Sequence, residues 1–224
     1  MNWWHELSLA DWRKHEKQGD HWLPFQQYLR KFAETQFEYP GGEGRGIVTC
    51  AGGSLLPGAY IALKRLRLLG YEGPVELWHL GLGEMSDAWR KTFDALEVRS
   101  RDALLERAAH PIHKLAGWQL KMYAIVLSAF RELLFLDADN APLQNPGNLF
   151  EAASYAEHGC LFWPDRERHG PEHSLWDIWD VPYRDEPQHE TGQMVIDRER
   201  CWRALQVAMH ANEWAEFHYR FSHG

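Results

Sequence analysis

Cysteine is scarce in this chain: three residues in 224, Cys50, Cys160 and Cys201, far apart and with no Cys-x-x-Cys pair. An odd, scattered set suits a reducing compartment and excludes a cysteine-only zinc site. No run of about 18 apolar residues occurs, so no transmembrane helix is expected. The opening MNWWHELSLADWRKHEKQGD is too charged for a signal peptide. Positive charge is also short. The 24 Lys and Arg stand against 32 Asp and Glu, a formal net charge of -8, whereas non-specific nucleic-acid binding needs a basic face. There is no His-Glu-x-x-His, and although His110 and His113 are close, Pro111 lies between them. These absences predict a soluble chain, cytoplasmic as given.

What is present suits one ordinary to large globular domain. Hydrophobic residues make up 45% and charged residues 25%, close to the globular average, so disorder is not indicated. Trp is abundant, with 12 copies. Indole rings serve mainly as buried or half-buried anchors, and they also stack on the apolar faces of sugars.

Residues 1 to about 37 read as helical, and Tyr39–Gly46 (YPGGEGRG) as a loop. A boundary is placed there, giving an N-terminal helical extension over 1–45 and a main domain over 46–224. Ile47–Cys50 is a short β-rich run before a tight turn, followed by a helix opened by Pro57 and stopped by Gly70. A strand over Val75–Leu80, a helix over about Glu84–Leu96 and a short strand at Val98 come next. Trp118–Phe130 has helical periodicity, Glu132–Leu136 and Cys160–Trp163 read as strands, and Gln193–Asp197 as another before a helix over about 198–211. Strands alternating with helices at this spacing predict an α/β sandwich with a mostly parallel sheet.

The segment that carries chemistry is Leu133–Asn140, LLFLDADN. Four apolar residues fit a central strand buried on both faces. The strand stops at Asp137 and Asp139, and ligands of open α/β sheets bind at the carboxyl ends of strands. Alternation along an extended chain would put both carboxylates on one side, with Ala138 between them. Such a pair repels unless a cation joins it, and hard oxygen ligands suit Mn2+ or Mg2+ shared with substrate phosphates. The plain alternative is a solvated turn, since Asp and Asn favour turns. Transfer of a sugar from a nucleoside diphosphate needs such a cation, because negative charge builds on the departing diphosphate.

Several blocks in order resemble the fungal α-mannosyltransferase family, mannan-building enzymes of GT-A fold. They are Gly46–Gly53 (GIVTCAGG), Val75–Gly81 (VELWHLG) with Glu84, Trp118–Phe130 (WQLKMYAIVLSAF), LLFLDADN, Leu161–Asp165 (LFWPD) and Glu190–Asp197 (ETGQMVID). The resemblance implies a GT-A-like, Rossmann-like αβα sandwich. It implies a nucleotide-sugar donor, typically GDP-mannose, a divalent metal, usually Mn2+, and transfer to a glycan hydroxyl with α-configuration kept. By the same resemblance Asp137 and Asp139 hold the metal. Thr49, Ala51, Gly52 and Gly53 contact the nucleoside, and Lys121, Ala138 and Asn140 also belong to the donor side. Glu190 and Gln193 lie beside the donor sugar as catalytic candidates, and His79 and Glu84 stand on the acceptor side.

The departures set further expectations. The related fungal enzymes are Golgi-luminal and membrane-anchored, and they continue past a region like Phe217–Gly224 (FHYRFSHG) into a GDK-type segment. The chain as given is therefore expected to be C-terminally truncated, with His223 a candidate third metal ligand. Two other readings are carried: a truncated, non-enzymatic sugar-nucleotide binder, and a haloacid-dehalogenase-type phosphatase. The phosphatase motif wants Thr or Val where Ala141 stands and a downstream acidic pair. A sugar-nucleotide pyrophosphorylase would need a Gly-rich loop with Arg and Lys, absent from Thr49–Leu56.

Overall fold

The computed structural model describes residues 23–215. In chain order the elements are α1 (Leu23–Glu34), β1 (Arg45–Cys50), α2 (Leu56–Leu68), β2 (Val75–His79), α3 (Asp87–Asp94), β3 (Val98–Asp102), α4 (Ala103–Glu106), α5 (Gly117–Leu127), β4 (Glu132–Leu136), α6 (Ala153–His158), β5 (Cys160–Pro164), α7 (Leu175–Trp179), β6 (His189–Asp197) and α8 (Trp202–Glu213). The described residues fall into two compact units. One groups 23–36 with Arg166–Gln188, and the other joins Phe37–Asp165 to His189–Ala215. The helical reading of residues 1–22 lies outside the described residues. Within the smaller unit α1 meets α7 through an Arg30–Asp180 ion pair and a Gln26 bond to the Asp177 carbonyl.

The larger unit is built on a six-stranded sheet in the order β3-β2-β1-β4-β6-β5. The joins β3-β2, β2-β1 and β1-β4 are parallel, while β6 runs antiparallel to both β4 and β5. The expected mostly parallel α/β sandwich is the observed one. Each face of the sheet carries its own core. On one, Ile47, Leu134 and Leu136 meet Leu63 and Leu66 of α2 and Phe93 of α3. On the other, Val48, Trp78, Leu133 and Phe135 meet Leu120, Tyr123 and Ile125 of α5 and Trp202 and Leu205 of α8. The unbroken apolar run of β4 thus follows from burial on both faces.

Three boundaries differ from expectation, each for a local reason. Helix α3 begins at Asp87 and not Glu84, because the Ser86 hydroxyl caps it by accepting from the Trp89 N–H at 3.3 Å. Helix α8 begins at Trp202, since the Asp197 carboxylate accepts from the N–H groups of Glu199 and Arg200 and holds 198–201 in a turn. Strand β6 starts at His189, four residues early, because its first part pairs with β5, Glu190 opposite Trp163 and His189 opposite Pro164.

Arg198 is a buried internal tie. It is 1% exposed, and its guanidinium donates to the carbonyls of Val126, Ser128 and Phe130 at 2.5–2.6 Å. It also lies over the rings of Tyr39 and Trp202. Burial pulls its pKa down. It thereby caps the C-terminal end of α5 and ties it to the turn after β6.

Candidate active site

Strand β1 leads through α2 to β2 and then β3 on one side, while β4 joins β1 on the other. The order reverses between β1 and β4, which opens a crevice at their carboxyl ends. Thr49 to Gly53 and Asp137 to Asn140 end those two strands.

The centre of the crevice is a clasp of three chain segments. The Lys121 ammonium, on α5, lies 2.9 Å from Asp137 Oδ1 and 3.0 Å from Oδ2. It also donates to the Thr191 carbonyl at 3.0 Å and lies 5.1 Å from the Phe135 ring centre. The Asp137 N–H donates to the Gly192 carbonyl at 2.8 Å, and the Asn140 side-chain amide donates to the same oxygen at 2.9 Å. Glu190 Oε1 accepts from the Gly192 N–H at 2.6 Å. A methyl group on Gly192 would meet Glu190 Oε1 at 3.0 Å, Asn140 Nδ2 at 3.1 Å and Asp137 Oδ2 at 3.4 Å, so glycine is what lets the three converge.

The two acidic residues are not placed as alternation suggested. The Asn140 N–H donates to the Asp137 carbonyl at 2.9 Å, so Ala138 and Asp139 form the corner of a turn and not extended chain. Ala138 is buried in that corner and Asp139 is exposed. Asp137, with its side chain 35% exposed, is held by Lys121. The charge repulsion expected of the pair is offset by this ammonium.

On the β1 side, Thr49 and Ala51 are buried, while Gly52 is half-buried and Gly53 exposed. Gly53 sits at φ +54, a region glycine enters without strain. Gly52 is crowded by the Glu84 carboxylate, which accepts from the Leu80 N–H at 3.0 Å. Glu84 therefore braces the loop over β1. His79 is 2% exposed and its Nδ1 lies 3.1 Å from the Gly81 carbonyl, so it is an internal strut and does not face an acceptor. Burial pulls its pKa below the usual histidine value. Burial and then the Asp137 charge push the Cys50 thiol well up, keeping it protonated. Gln193 pairs with Leu136 across the sheet and lines a separate groove beside Asn140.

Sequence reasoning passed over Thr191 and Gly192. A glycine inside a strand was the available signal, since it marks close approach. Among the described residues no three His, Cys, Asp or Glu side chains cluster to hold a metal. His223 lies outside the described residues.

A mostly parallel sheet with its crevice at the β1–β4 reversal and an acidic turn at its lip defines a GT-A glycosyltransferase fold. The solved galactosyltransferase LgtC, in complex with donor and acceptor sugar analogues, superposes with a TM-score of 0.58 at 16% identity, over 79% of this chain and 66% of that one. That likeness concerns the fold. The family model described as "Mannosyltransferase putative" matches residues 44–178, and the chain belongs to this mannosyltransferase family. It is similar to the alpha-1,2-mannosyltransferase MNN5 of Saccharomyces cerevisiae, 30% identical over 138 residues, 60% of this chain and 23% of that protein. MNN2 of the same yeast is 31% identical over 140 residues, 61% of this chain and 23% of its own length. MNN21 of Candida albicans is 26% identical over 223 aligned positions, 78% of this chain and 34% of that one. The chain thus spans about a quarter to a third of these relatives. Among the described residues no helix is long and apolar enough to cross a membrane.

Proposed function

We propose that this chain carries the donor site of a metal-dependent glycosyltransferase that moves a hexose, mannose from GDP-mannose, onto a glycan hydroxyl with retention of α-configuration. The observation that carries the reading is the clasp of Lys121, Asp137 and Gly192 at the β1–β4 crevice, with Asp139 exposed beside it. The choice of mannose and of retention rests on the family.

The residues present fit a divalent cation, Mn2+ or Mg2+. Two carboxylates on one turn are an ordinary protein share for such ions, which take their remaining oxygens from phosphates and water. Asp137 already holds one cation, the Lys121 ammonium. Asp137 and Asp139 would hold the metal, which when bound supplies charge to the departing diphosphate. Lys121, released from Asp137, would have a donor phosphate oxygen within the reach of its flexible stem. The Asn140 amide and the Gly192 carbonyl keep the acidic turn in place, which leaves the carboxylates preorganised. Glu190, fixed by the Gly192 N–H, would offer negative charge to the donor sugar. Membership of the mannosyltransferase family argues against the phosphatase reading.

The test is a thermal-shift panel of nucleotide sugars with and without Mn2+, read alongside Asp139→Ala. The expected result is a metal-dependent rise in Tm with GDP-mannose that Asp139→Ala removes with little loss of basal stability. A flat panel from a folded chain would refute donor binding. A shift with no transfer would favour the non-enzymatic binder.

A further inference from the structure

The crossover from β4 to β5 leaves a second concavity. A groove of about 430 Å3 lies between residues 140–149 and the sheet. Its size falls within the range of about 300–1,000 Å3 usual for small-molecule sites. Its lining is chemically distinctive: Asn140, Gln144, Asn148 and Gln193 line it together with Trp163 and apolar residues that include Leu136. Among the described residues no Asp, Glu, Lys, Arg or His lines it.

That lining selects a ligand class. Amides donate and accept with equal ease, so they match hydroxyl groups, which do the same. Trp163 is half-buried and offers an aromatic surface for an apolar C–H face. With no cation on the wall, a diphosphate finds nothing to offset its charge. A neutral pyranose, polar around its rim and apolar on one face, satisfies all three features.

The position relates the groove to the donor clasp. Leu134 and Leu136 line it, whereas Phe135, beneath Lys121, faces the other side of β4. The two sites therefore use opposite faces of one strand and meet at its end. Asn140 belongs to both: it lines the groove, while its N–H and side-chain NH2 donate to the Asp137 and Gly192 carbonyls. Gln193 follows Gly192 directly. Asn145 stiffens the outer wall, since its amide bonds the Gly70 carbonyl and accepts from the Gly147 N–H.

We propose that this groove is the acceptor subsite, binding a neutral hexopyranose unit of the glycan that receives the sugar. The assignment rests on the glycosyltransferase reading above. The test is an NMR titration of the full chain with α-linked mannobiose as probe, following backbone and side-chain amide signals. Wild type is expected to bind weakly, with shifts at the Asn140, Gln144, Asn148 and Gln193 amides. Gln144→Ala and Asn148→Ala, both at exposed positions, should each weaken binding about fivefold, as loss of one net hydrogen bond does. Trp163→Ala should abolish it and Trp163→Phe restore much of it. Asp137→Asn should leave the affinity unchanged, which separates the groove from the donor site. Absence of binding by the folded wild type, or unchanged affinity in the Gln144→Ala/Asn148→Ala double variant, would overturn the proposal. Sugar binding at the groove without any transfer from a donor would sink the transferase reading and leave the groove standing as a sugar site.

Discussion

Replacing Lys121 by methionine keeps the length of the stem but removes the ammonium that contacts both oxygens of Asp137 and lies over the Phe135 ring. The pair is partly exposed, 14% at Lys121 and 35% at Asp137, so solvent screens it and its net worth to stability is about 1 kcal/mol or less. Tm should therefore fall by only about 2–4 °C, the shift about 1 kcal/mol produces in a chain of this size. The effect on Mn2+ has the opposite sign. On the proposed metal-dependent reading, Mn2+ would have to displace Lys121 from Asp137 in the free protein, and that displacement would cost what the pair contributes. Removing the competitor should tighten Mn2+ binding without donor by about fivefold, the equivalent of about 1 kcal/mol. Transfer should still fall by about a hundredfold or more, since on the proposed reading a charge that would serve the leaving diphosphate is lost. Mn2+ affinity is measured by electron paramagnetic resonance and transfer by release of nucleoside diphosphate. Weaker Mn2+ binding in Lys121→Met, or full transfer, would refute the reasoning.

Three further outcomes follow from the same structure. Gly192→Ala should lower transfer at least about tenfold with a small change in Tm, because its methyl must push Glu190, Asn140 and Asp137 by a few tenths of an ångström, and displacements near 1 Å cost about a hundredfold; unchanged turnover would show that the clasp need not be tight. Arg198→Met should lower Tm by about 6–12 °C, the equivalent of about 3 kcal/mol, because three buried carbonyls lose a charged donor; a melt within 2 °C of wild type, roughly 1 kcal/mol, would refute this. His79 is held neutral by burial, with its folded pKa below the unfolded value of 6.5. Its contribution to stability is thus present above pH 6.5 and lost as pH falls from there towards the folded value. Melts between pH 7.5 and 5.5 should show a smaller acid loss for His79→Gln than for wild type, and equal losses would contradict the assignment.

The DxD strand was legible because apolar residues at four consecutive positions leave few alternatives to a doubly buried β4, and Asp137 had to follow at its exposed end. The helix carrying Lys121 was legible from its period. What could not be read was which residues meet. Alternation placed Asp137 and Asp139 together, yet a single hydrogen bond from Asn140 to the Asp137 carbonyl converts that stretch into a turn. The resemblance put His79 and Glu84 on the acceptor side, but the fold buries one and presses the other against Gly52. Gly192 was overlooked since nothing local shows that a strand so far along the chain from β4 will lie antiparallel to it, with the Gly192 carbonyl on the Asp137 N–H.

The amino-acid sequence alone determined the alternation of strands and helices, the apolar run that buries β4 on both faces, and the chemical types at its end. These are local properties of period, polarity and turn chemistry. The tertiary structure decided that Lys121, Gly192 and Asn140 converge on Asp137, that Gln193 faces a neutral groove with Trp163, and that Arg198 seals the end of α5. Those depend on strand order and on which face each side chain takes, and both are set by packing between segments far apart in the chain.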